Sequence, residues 1–189
     1  IPNNGDWGSL STGAYCDYDN NPTNSETYGR LYNWYTVNDD RGVCPESWSV
    51  PSDDDWKELE MFLGMSEAEA NEIGTSRGTD EGAKLAGIIN LWSDGPLVNN
   101  ASFGMTGFKG IPAGYRHSED FFGYLNLVGY FWSSTSNESG AWLRELEYDN
   151  STVDRYNHSK NTGYSIRCIK NIPGCTDTYS PGYNPDADW

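Results

Sequence analysis

Long apolar runs and basic residues are both scarce in this 189-residue chain, and each shortage excludes a class of function. No stretch approaches the roughly 18–20 consecutive apolar residues that span a bilayer, so we expect no membrane insertion. Only 12 lysines and arginines face 28 acidic residues, which gives a net charge of −16. Such a charge repels phosphates and anionic lipids, so we expect no nucleic-acid partner. It is compatible with divalent cations or basic partners.

Residues that carry catalysis are also scarce. The two histidines, His117 and His158, cannot supply the three protein ligands of a catalytic metal centre. No nucleophile-elbow sequence supports a hydrolase triad. We therefore expect a protein that is not an enzyme, with Ca²⁺ as the one candidate cofactor.

Cysteine usage indicates the compartment. The chain has four cysteines and no C-x-x-C motif, and no cysteine lies near a histidine in the sequence. Disulfides in an oxidising compartment are therefore favoured over a zinc site, and we expect a secreted or cell-surface location. Four cysteines allow three pairings, and spacing alone does not choose among them.

What the chain has in abundance is aromatic residues, which form 14% of it and include eight tryptophans and 13 tyrosines. They predict a core of large rings, with some rings left on a binding surface. The length fits one domain with a short appendage, which we place at residues 1–171 and 172–189. Because the chain begins at Ile1 without a signal-peptide pattern, we expect a processed product or a piece of something longer.

The strongest local signal is a helix start within Val50–Gly64. Ser52 followed by Asp55 has the spacing of a capping box, and Gly64 is a typical helix end. We interpret Asp53–Asp55 as acids that complement the helix dipole rather than as ligands. An apolar stripe at helical spacing follows: Trp56, Leu59, Phe62 and Leu63.

Periodicity elsewhere predicts an α+β fold. Spacings of three and four predict a helix over about Gly29–Asn38, and a second capping box predicts one over Ser66–Ile73. Asp80–Ile89 is predicted to form another helical turn, and residues 90–130 form a long ordered loop with short strands. From Gly129 onward, alternation of period two predicts antiparallel strands.

Seven motifs occur in an order that resembles the Fibrobacter succinogenes major paralogous domain, from about Asp17 to Lys170. They are YGRLYNWYTV, GVCPESWSVPSDDDWKELEMFLG, RGTDEGAKLAG, GFKGIPAGYR, GYFWSSTS, AWLRELEYD and GYSIRCIK. The resemblance implies the C-type lectin-like fold, with two main helices flanking a small twisted antiparallel sheet in a loop-rich chain. It also implies that Cys44 pairs with Cys168.

The same superfamily includes the formylglycine-generating enzymes and the variable proteins of diversity-generating retroelements. The former use a copper-binding cysteine pair, whereas Cys168 and Cys175 flank the last strand and a linker here. An enzyme of this type is therefore the least favoured alternative. The Glu-Pro-Asn and Gln-Pro-Asp loops of calcium-dependent lectins are missing from the domain as well.

We expect a recognition or assembly module of a larger bacterial surface protein, adhesin or fibre, which binds a protein or glycan on a surface or neighbouring subunits. Loops at about 117–127, 133–140 and 157–163 would form the binding face, because long loops gather on one side of the implied fold. Their candidate binding residues are Tyr124, Asn137, Tyr156, His158 and Asn161.

Two alternatives to this loop face stay open. One is a carbohydrate-binding module for polysaccharide capture, with Trp92 and residues 115–130 as candidates for stacking on sugars. For Trp48, Trp56, Trp132 and Trp142 we expect core positions instead. The other alternative reaches partners through chain ends and edge strands.

The last 18 residues resemble the start of a calcium-binding repeat. Four side chains there offer the oxygen ligands that Ca²⁺ prefers: Asp177, Asn184, Asp186 and Asp188. An acidic linker is the simpler interpretation of the same segment. Cys175 is free to pair with Cys16 or with a cysteine of another segment.

Overall fold

The computed structural model describes residues 4–171, which form an α+β domain. The α-helices are α1 Pro22–Tyr28, α2 Asp53–Leu63, α3 Glu67–Asn71, α4 Glu81–Leu85 and α5 Pro96–Asn99. The strands are β1 Tyr15–Cys16, β2 Leu31–Tyr32, β3 Trp48–Ser49, β4 Gly74–Arg77, β5 Ala113–Arg116, β6 Phe122–Leu125, β7 Val128–Ser136, β8 Ala141–Glu147, β9 Val153–His158 and β10 Ile169–Lys170. Short 3₁₀ turns lie at Asn4–Ser9, Tyr18–Asn20, Trp34–Thr36 and Ile89–Leu91.

A four-stranded antiparallel sheet in the order β4-β9-β8-β7 is the centre of the domain. Its register places Phe131, Arg144 and Arg155 in one row across β7, β8 and β9. Three two-stranded antiparallel pairs surround it: β1 with β2, β3 with β10, and β5 with β6.

Local sequence determines α2 as predicted. The Ser52 side chain accepts the Asp55 backbone N–H, and the Asp55 side chain accepts the Ser52 backbone N–H. Gly64 ends the helix at a φ of 131°, a conformation that side chains with a Cβ rarely adopt. The second capping box, Ser66 with Glu69, is also present and starts α3.

Helices α2 to α5 cover one face of the sheet. Trp56 of α2 packs with Phe131, Leu146 and Val153 from the sheet in an apolar cluster that extends to α4 and α5. The opposite face carries a second cluster rich in aromatic residues, to which Trp34 contributes from outside the sheet. Side chains alternate along a strand, and a cluster lies on each face of the sheet, so the central strands are buried on both faces.

Charged residues lie inside the helix-covered face. Asp53 accepts from Arg144 at 2.8 Å and from Arg155 at 2.6 Å, and Glu60 accepts from Arg77 at 2.7 Å and from Arg144. Burial acts to raise the pKa of Asp53, but hydrogen bonds and charge from the two arginines hold that pKa well below its usual range. Asp53 is therefore a buried ion-pair partner as well as a helix-start acid.

The predicted helix over Gly29–Asn38 is wrong. Leu31 and Tyr32 form β2, and the Tyr32 N–H and carbonyl both bond to Tyr164. The Trp34 N–H donates to the Lys160 carbonyl, so long-range partners take the backbone groups that a helix would need. The helix lies earlier, at α1, where the Asn21 side chain caps Thr23.

Some predictions for the tryptophans are also wrong. Trp92, expected to be free for sugar stacking, is buried and donates its indole N–H to the Gly87 carbonyl at 3.1 Å. Trp48, expected in the core, is 42% exposed, because β3 pairs only with the short β10. Trp56 and Trp132 are fully buried as predicted, and Trp142 is half-buried under Arg155.

The disulfide between Cys44 and Cys168 is present, with an S–S distance of 2.01 Å. Cys16 is a buried free thiol, and Cys175 lies outside the described residues. The predicted calcium ligands Asp177, Asn184, Asp186 and Asp188 lie outside them too. Within residues 4–171, no group of three or more His, Cys, Asp or Glu side chains is arranged to hold a metal ion. None of the helices described is both long and apolar enough to cross a membrane.

Candidate binding site

A cavity of about 410 Å³ opens on the sheet face that carries the aromatic cluster. That volume falls at the small end of the range typical of ligand sites, about 300–1,000 Å³. Six of its ten lining residues are Tyr or Phe, and two more are histidines. The lining consists of Tyr115, His117, Phe121, Tyr124, Tyr130, Leu143, Glu145, Tyr156, His158 and Tyr164.

The floor of the cavity is the sheet itself. Tyr130 of β7 is paired directly with Glu145 of β8, and Leu143 of β8 is paired directly with Tyr156 of β9. Residues opposite each other in an antiparallel pair point to the same face, so these side chains share one surface. The alternating residue between them, Arg144, points to the other face and into the ion-pair network.

The hairpin of β5 and β6 forms one wall, with Tyr115 at its centre. The Tyr115 ring lies 5.6 Å from Tyr124 and 5.7 Å from Tyr130, between centroids. Tyr115 is paired with Gly123 across the hairpin, where an added Cβ would approach the ring to 2.9 Å. A glycine at position 123 therefore allows the central ring to lie across the neighbouring strand.

A buried arginine holds this hairpin in place. The Arg116 guanidinium lies 4.3 Å from the Trp7 ring centre, and it donates to Asp120 in the hairpin turn at 3.0 Å. Its backbone N–H and carbonyl both bond to Gly163. The hairpin is thereby joined to the segment that carries Tyr164, and the wall is built on a rigid support.

Tyr164 closes the aromatic cluster from the side. Its ring stacks on Tyr130 at 4.7 Å and meets Trp132 edge-on at 4.7 Å. Burial, followed by the charge of Glu145, raises the pKa of the Tyr164 hydroxyl. Tyr130 shows the same direction of change for the same causes, so both hydroxyls stay neutral.

Glu145 is the one carboxylate in the cavity lining. Burial, followed by repulsion from Glu147 and Asp154, raises its pKa to about 8. The Tyr130 hydroxyl is within hydrogen-bonding reach and offsets part of this rise. No lysine or arginine lines the cavity, so the carboxyl group has no cation beside it there.

Both histidines of the chain line the cavity. His158 contacts Thr162 through Nδ1 at 3.1 Å, and burial followed by the charge of His117 lowers the pKa of His158. His117 accepts the Glu119 N–H at Nδ1 and stacks on Phe121 at 4.4 Å. The two imidazole rings extend the aromatic lining.

The structure brings together three of the five predicted binding residues, since Tyr124, Tyr156 and His158 all line the cavity. The other two lie elsewhere. The Asn137 side chain accepts backbone N–H groups of its own turn, including that of Gly140 at 3.0 Å. The Asn161 side chain donates to the Leu10 carbonyl at 2.6 Å, which is a structural contact.

Four more lining residues lie within the range 115–130 that the sequence offered for sugar stacking, namely Tyr115, His117, Phe121 and Tyr130, whereas sequence reasoning missed Leu143, Glu145 and Tyr164. The period-two pattern did place Glu145 on the same face as Leu143. An acid two residues after a leucine of the same strand, and so on the same face, was the available signal for a polar group at an apolar surface. Tyr164 had no comparable signal, because its position depends on backbone bonds to the distant Tyr32.

A second cavity, of about 570 Å³, lies near the free thiol of Cys16. Its lining includes both Asp17 and Arg30, which lie 3.7 Å apart. The Arg30 guanidinium also covers the Tyr15 ring at 4.4 Å. The charges of Asp17 and Arg30 are thus already paired, and the face of the Tyr15 ring is already covered by Arg30. This makes the cavity the weaker candidate.

An α+β domain with a concave aromatic surface is the class that the fold and the cavity define. The chain belongs to the Fibrobacter succinogenes major domain family, whose model matches residues 1–170. The family resemblance expected from the seven motifs is thereby confirmed. No curated protein and no solved structure matches the chain.

Proposed function

We propose that the domain is a non-catalytic, extracellular recognition or assembly module of a larger bacterial surface protein. The observation that carries this proposal is the aromatic cavity on the open face of the sheet. Tyrosine provides large contact area with little conformational entropy to lose, and its hydroxyl adds a hydrogen bond. A surface of this kind is suited to binding rather than to bond making.

The rigidity of the surroundings supports the same function. The cavity floor is a hydrogen-bonded sheet, and its hairpin wall is fixed by Arg116 and by the backbone bonds to Gly163. A preorganised surface loses less entropy when it binds. The C-type lectin-like arrangement, with its binding loops on one side of a sheet, belongs to this proposal.

The extracellular location rests on the Cys44–Cys168 disulfide. Such bonds persist in oxidising compartments and are rare in reducing ones. The net charge of −16 also favours basic partners over anionic surfaces. The partner that we propose is a protein or glycan on a surface, or a neighbouring subunit of an assembly.

Carbohydrate capture is the second candidate function. The rings of Phe121 and Tyr124, which line the cavity, are 47% and 52% exposed. Exposed rings beside a carboxyl group offer both a stacking surface and a hydrogen-bond acceptor for a sugar. This alternative uses the same cavity, so the ligand class distinguishes it from protein recognition.

The test is a comparison of the wild-type domain with the triple variant Tyr124→Ala, Tyr156→Ala and His158→Ala on a peptide array and a glycan array. We expect the triple variant to lose the ligands that the wild type retains, while its melting temperature changes little. The control is Phe62→Ala, which removes a 73% exposed ring from α2, on the other side of the sheet.

If the triple variant retains binding, we would infer that partners bind at the edge strands or chain ends instead. Loss of glycan ligands alone would favour polysaccharide capture. Loss of peptide ligands alone would favour protein recognition.

A further inference from the structure

We propose that the aromatic cavity binds a lysine or arginine side chain of a partner protein, with the cationic group against the Glu145 carboxyl. This inference rests on the proposed function, because it names the ligand of the same cavity. Three independent features support it: the acidic lining, the pairing of the other buried acids, and the lining rings over which the chain places no cation.

The lining holds one carboxyl group and no strongly basic side chain. Glu145 is its one acidic member, and neither lysine nor arginine is among the ten lining residues. Glu147 and Asp154 add to the negative potential from neighbouring positions on the same sheet face. Surfaces that bind each other carry complementary charge, so this cavity is suited to a cation.

Other buried acids of the domain show what Glu145 lacks. Asp53 is bonded to Arg144 and Arg155, and Glu60 is bonded to Arg77 and Arg144. Glu81 accepts the backbone N–H groups of Thr79 and Asp80. Buried charges in proteins are normally paired in this way.

Glu145 is half-buried beside the Tyr130 hydroxyl and two other acids, Glu147 and Asp154. Burial, followed by repulsion from Glu147 and Asp154, raises its pKa to about 8 and so favours the neutral acid. A cation bound beside it would restore the charged carboxylate and form a charge-assisted hydrogen bond. The missing counter-ion is therefore supplied by the ligand.

Ring faces give the third feature. Elsewhere the domain covers rings with its own cations, for example Arg155 over Trp142 at 4.0 Å and Lys160 over Trp34 at 4.6 Å. Among the described residues, no cation of the chain covers any of the six rings that line the cavity. Cations are attracted to the faces of aromatic rings, so these rings add to the attraction of the carboxyl group.

A side chain is a better fit than a free amine. The floor of the cavity combines the apolar Leu143 with the acidic Glu145. Lysine and arginine present an apolar stem that ends in a charged head, so the stem can contact leucine and ring edges while the head reaches the acid. The cavity volume of about 410 Å³ accommodates one such side chain.

The experiment measures binding of two blocked tripeptides, acetyl-Gly-Lys-Gly-amide and acetyl-Gly-norleucine-Gly-amide, by NMR titration. The two peptides have similar apolar stems and differ in the ammonium group. We expect the lysine peptide to bind at least about tenfold more tightly, the effect of one charge-assisted hydrogen bond. Chemical-shift changes should be concentrated in residues 115–130 and 143–158.

Two substitutions test the roles of charge and ring separately. Glu145→Gln should remove most of the lysine preference and leave norleucine binding unchanged. Tyr156→Phe, which keeps the ring face, should bind lysine nearly as well as the wild type, whereas Tyr156→Leu should bind it several-fold more weakly. Glu138→Gln is the matched control, because it removes one exposed acid outside the cavity lining.

Equal binding of the two peptides, or no binding of the lysine peptide, overturns the cation assignment. The proposed function survives that result if neutral ligands still lose affinity in the triple variant at Tyr124, Tyr156 and His158. Indifference of every array ligand to the triple variant overturns the assignment of the proposed function to this cavity instead. The two failures are therefore distinguishable.

Discussion

The half-buried Glu145 should make the domain less stable as the pH rises toward 8. Its pKa is about 8 in the folded state against an ordinary value of 4.5, so the folded state holds a proton that the unfolded chain has lost. An acid whose pKa is raised in the folded state contributes stability that is fully present below its unfolded-state pKa. That stability is lost as the pH rises through its folded-state pKa. The sign is therefore a decrease with increasing pH.

The interval from pH 6.5 to 8 isolates this group. Burial raises the pKa of Asp154 to about 6; the Ser76 N–H opposes this rise and Glu147 adds to it. The contribution of Asp154 to the free energy of unfolding is therefore mostly lost below this interval. The lowered pKa of His158 acts with the opposite sign, and only below about 6.5, its ordinary value. The lowered pKa of Asp53 matters only at acidic pH.

The magnitude follows from the linkage relation. One pKa unit corresponds to about 1.4 kcal/mol, so the interval allows a loss of at most about 2 kcal/mol. Partial exposure of the carboxyl group screens the repulsion that it feels, which reduces the expected loss to about 1 kcal/mol. A loss of that size is measurable by urea unfolding.

The assay is urea unfolding followed by tryptophan fluorescence at pH 6.5, 7.0, 7.5 and 8.0. The free energy of unfolding of the wild type should fall by about 1 kcal/mol over this range, and that of Glu145→Gln should stay flat. Glu138→Gln should behave like the wild type. A parallel decrease in the wild type and Glu145→Gln would show that another group titrates, and an increase in the wild type would refute the reasoning.

Two further predictions concern stability. Glu60→Ala should cost about 3–5 kcal/mol, because it removes the carboxylate that pairs with the buried Arg77 and one of the two that pair with the buried Arg144, whereas Glu58→Ala on the exposed face of α2 should change stability by under about 0.5 kcal/mol; equal unfolding midpoints in urea would contradict the role of the network. Reduction of the disulfide between Cys44 and Cys168, which are 124 residues apart, should cost about 4–5 kcal/mol in the chain-entropy model, and an unchanged melting temperature after verified thiol labelling would reject it.

Elements determined by neighbouring residues were predictable from the sequence. The Ser52 and Ser66 capping boxes depend on side chains three residues apart, and both are present. The alternation along β8 also follows from local pattern, since Arg144 and Glu145 point to opposite faces. The family resemblance added the Cys44–Cys168 pair, which no local rule identifies.

Elements determined by distant partners were not predictable. The spacing of Leu31 and Trp34 is typical of a helix, yet their segment bonds to Tyr164 and Lys160, far along the chain. The same limit applies to the cavity. Tyr124 was found because it lies in an evident loop, whereas Tyr115 became a central wall residue only through the docking of its hairpin on the sheet.

The covalent link between Cys44 and Cys168 also determines how the domain would transmit a pulling force. Tension applied to the chain on either side of the two cysteines would pass directly through the sulfur–sulfur bond. The sheet and the cavity lie between the cysteines in sequence, so tension along the backbone would bypass them. Only the segment before Cys44, with α1, β1 and β2, and the short β10 would be stretched. Tension on a ligand bound in the cavity would instead act on the segment between the two cysteines, whose ends the disulfide joins.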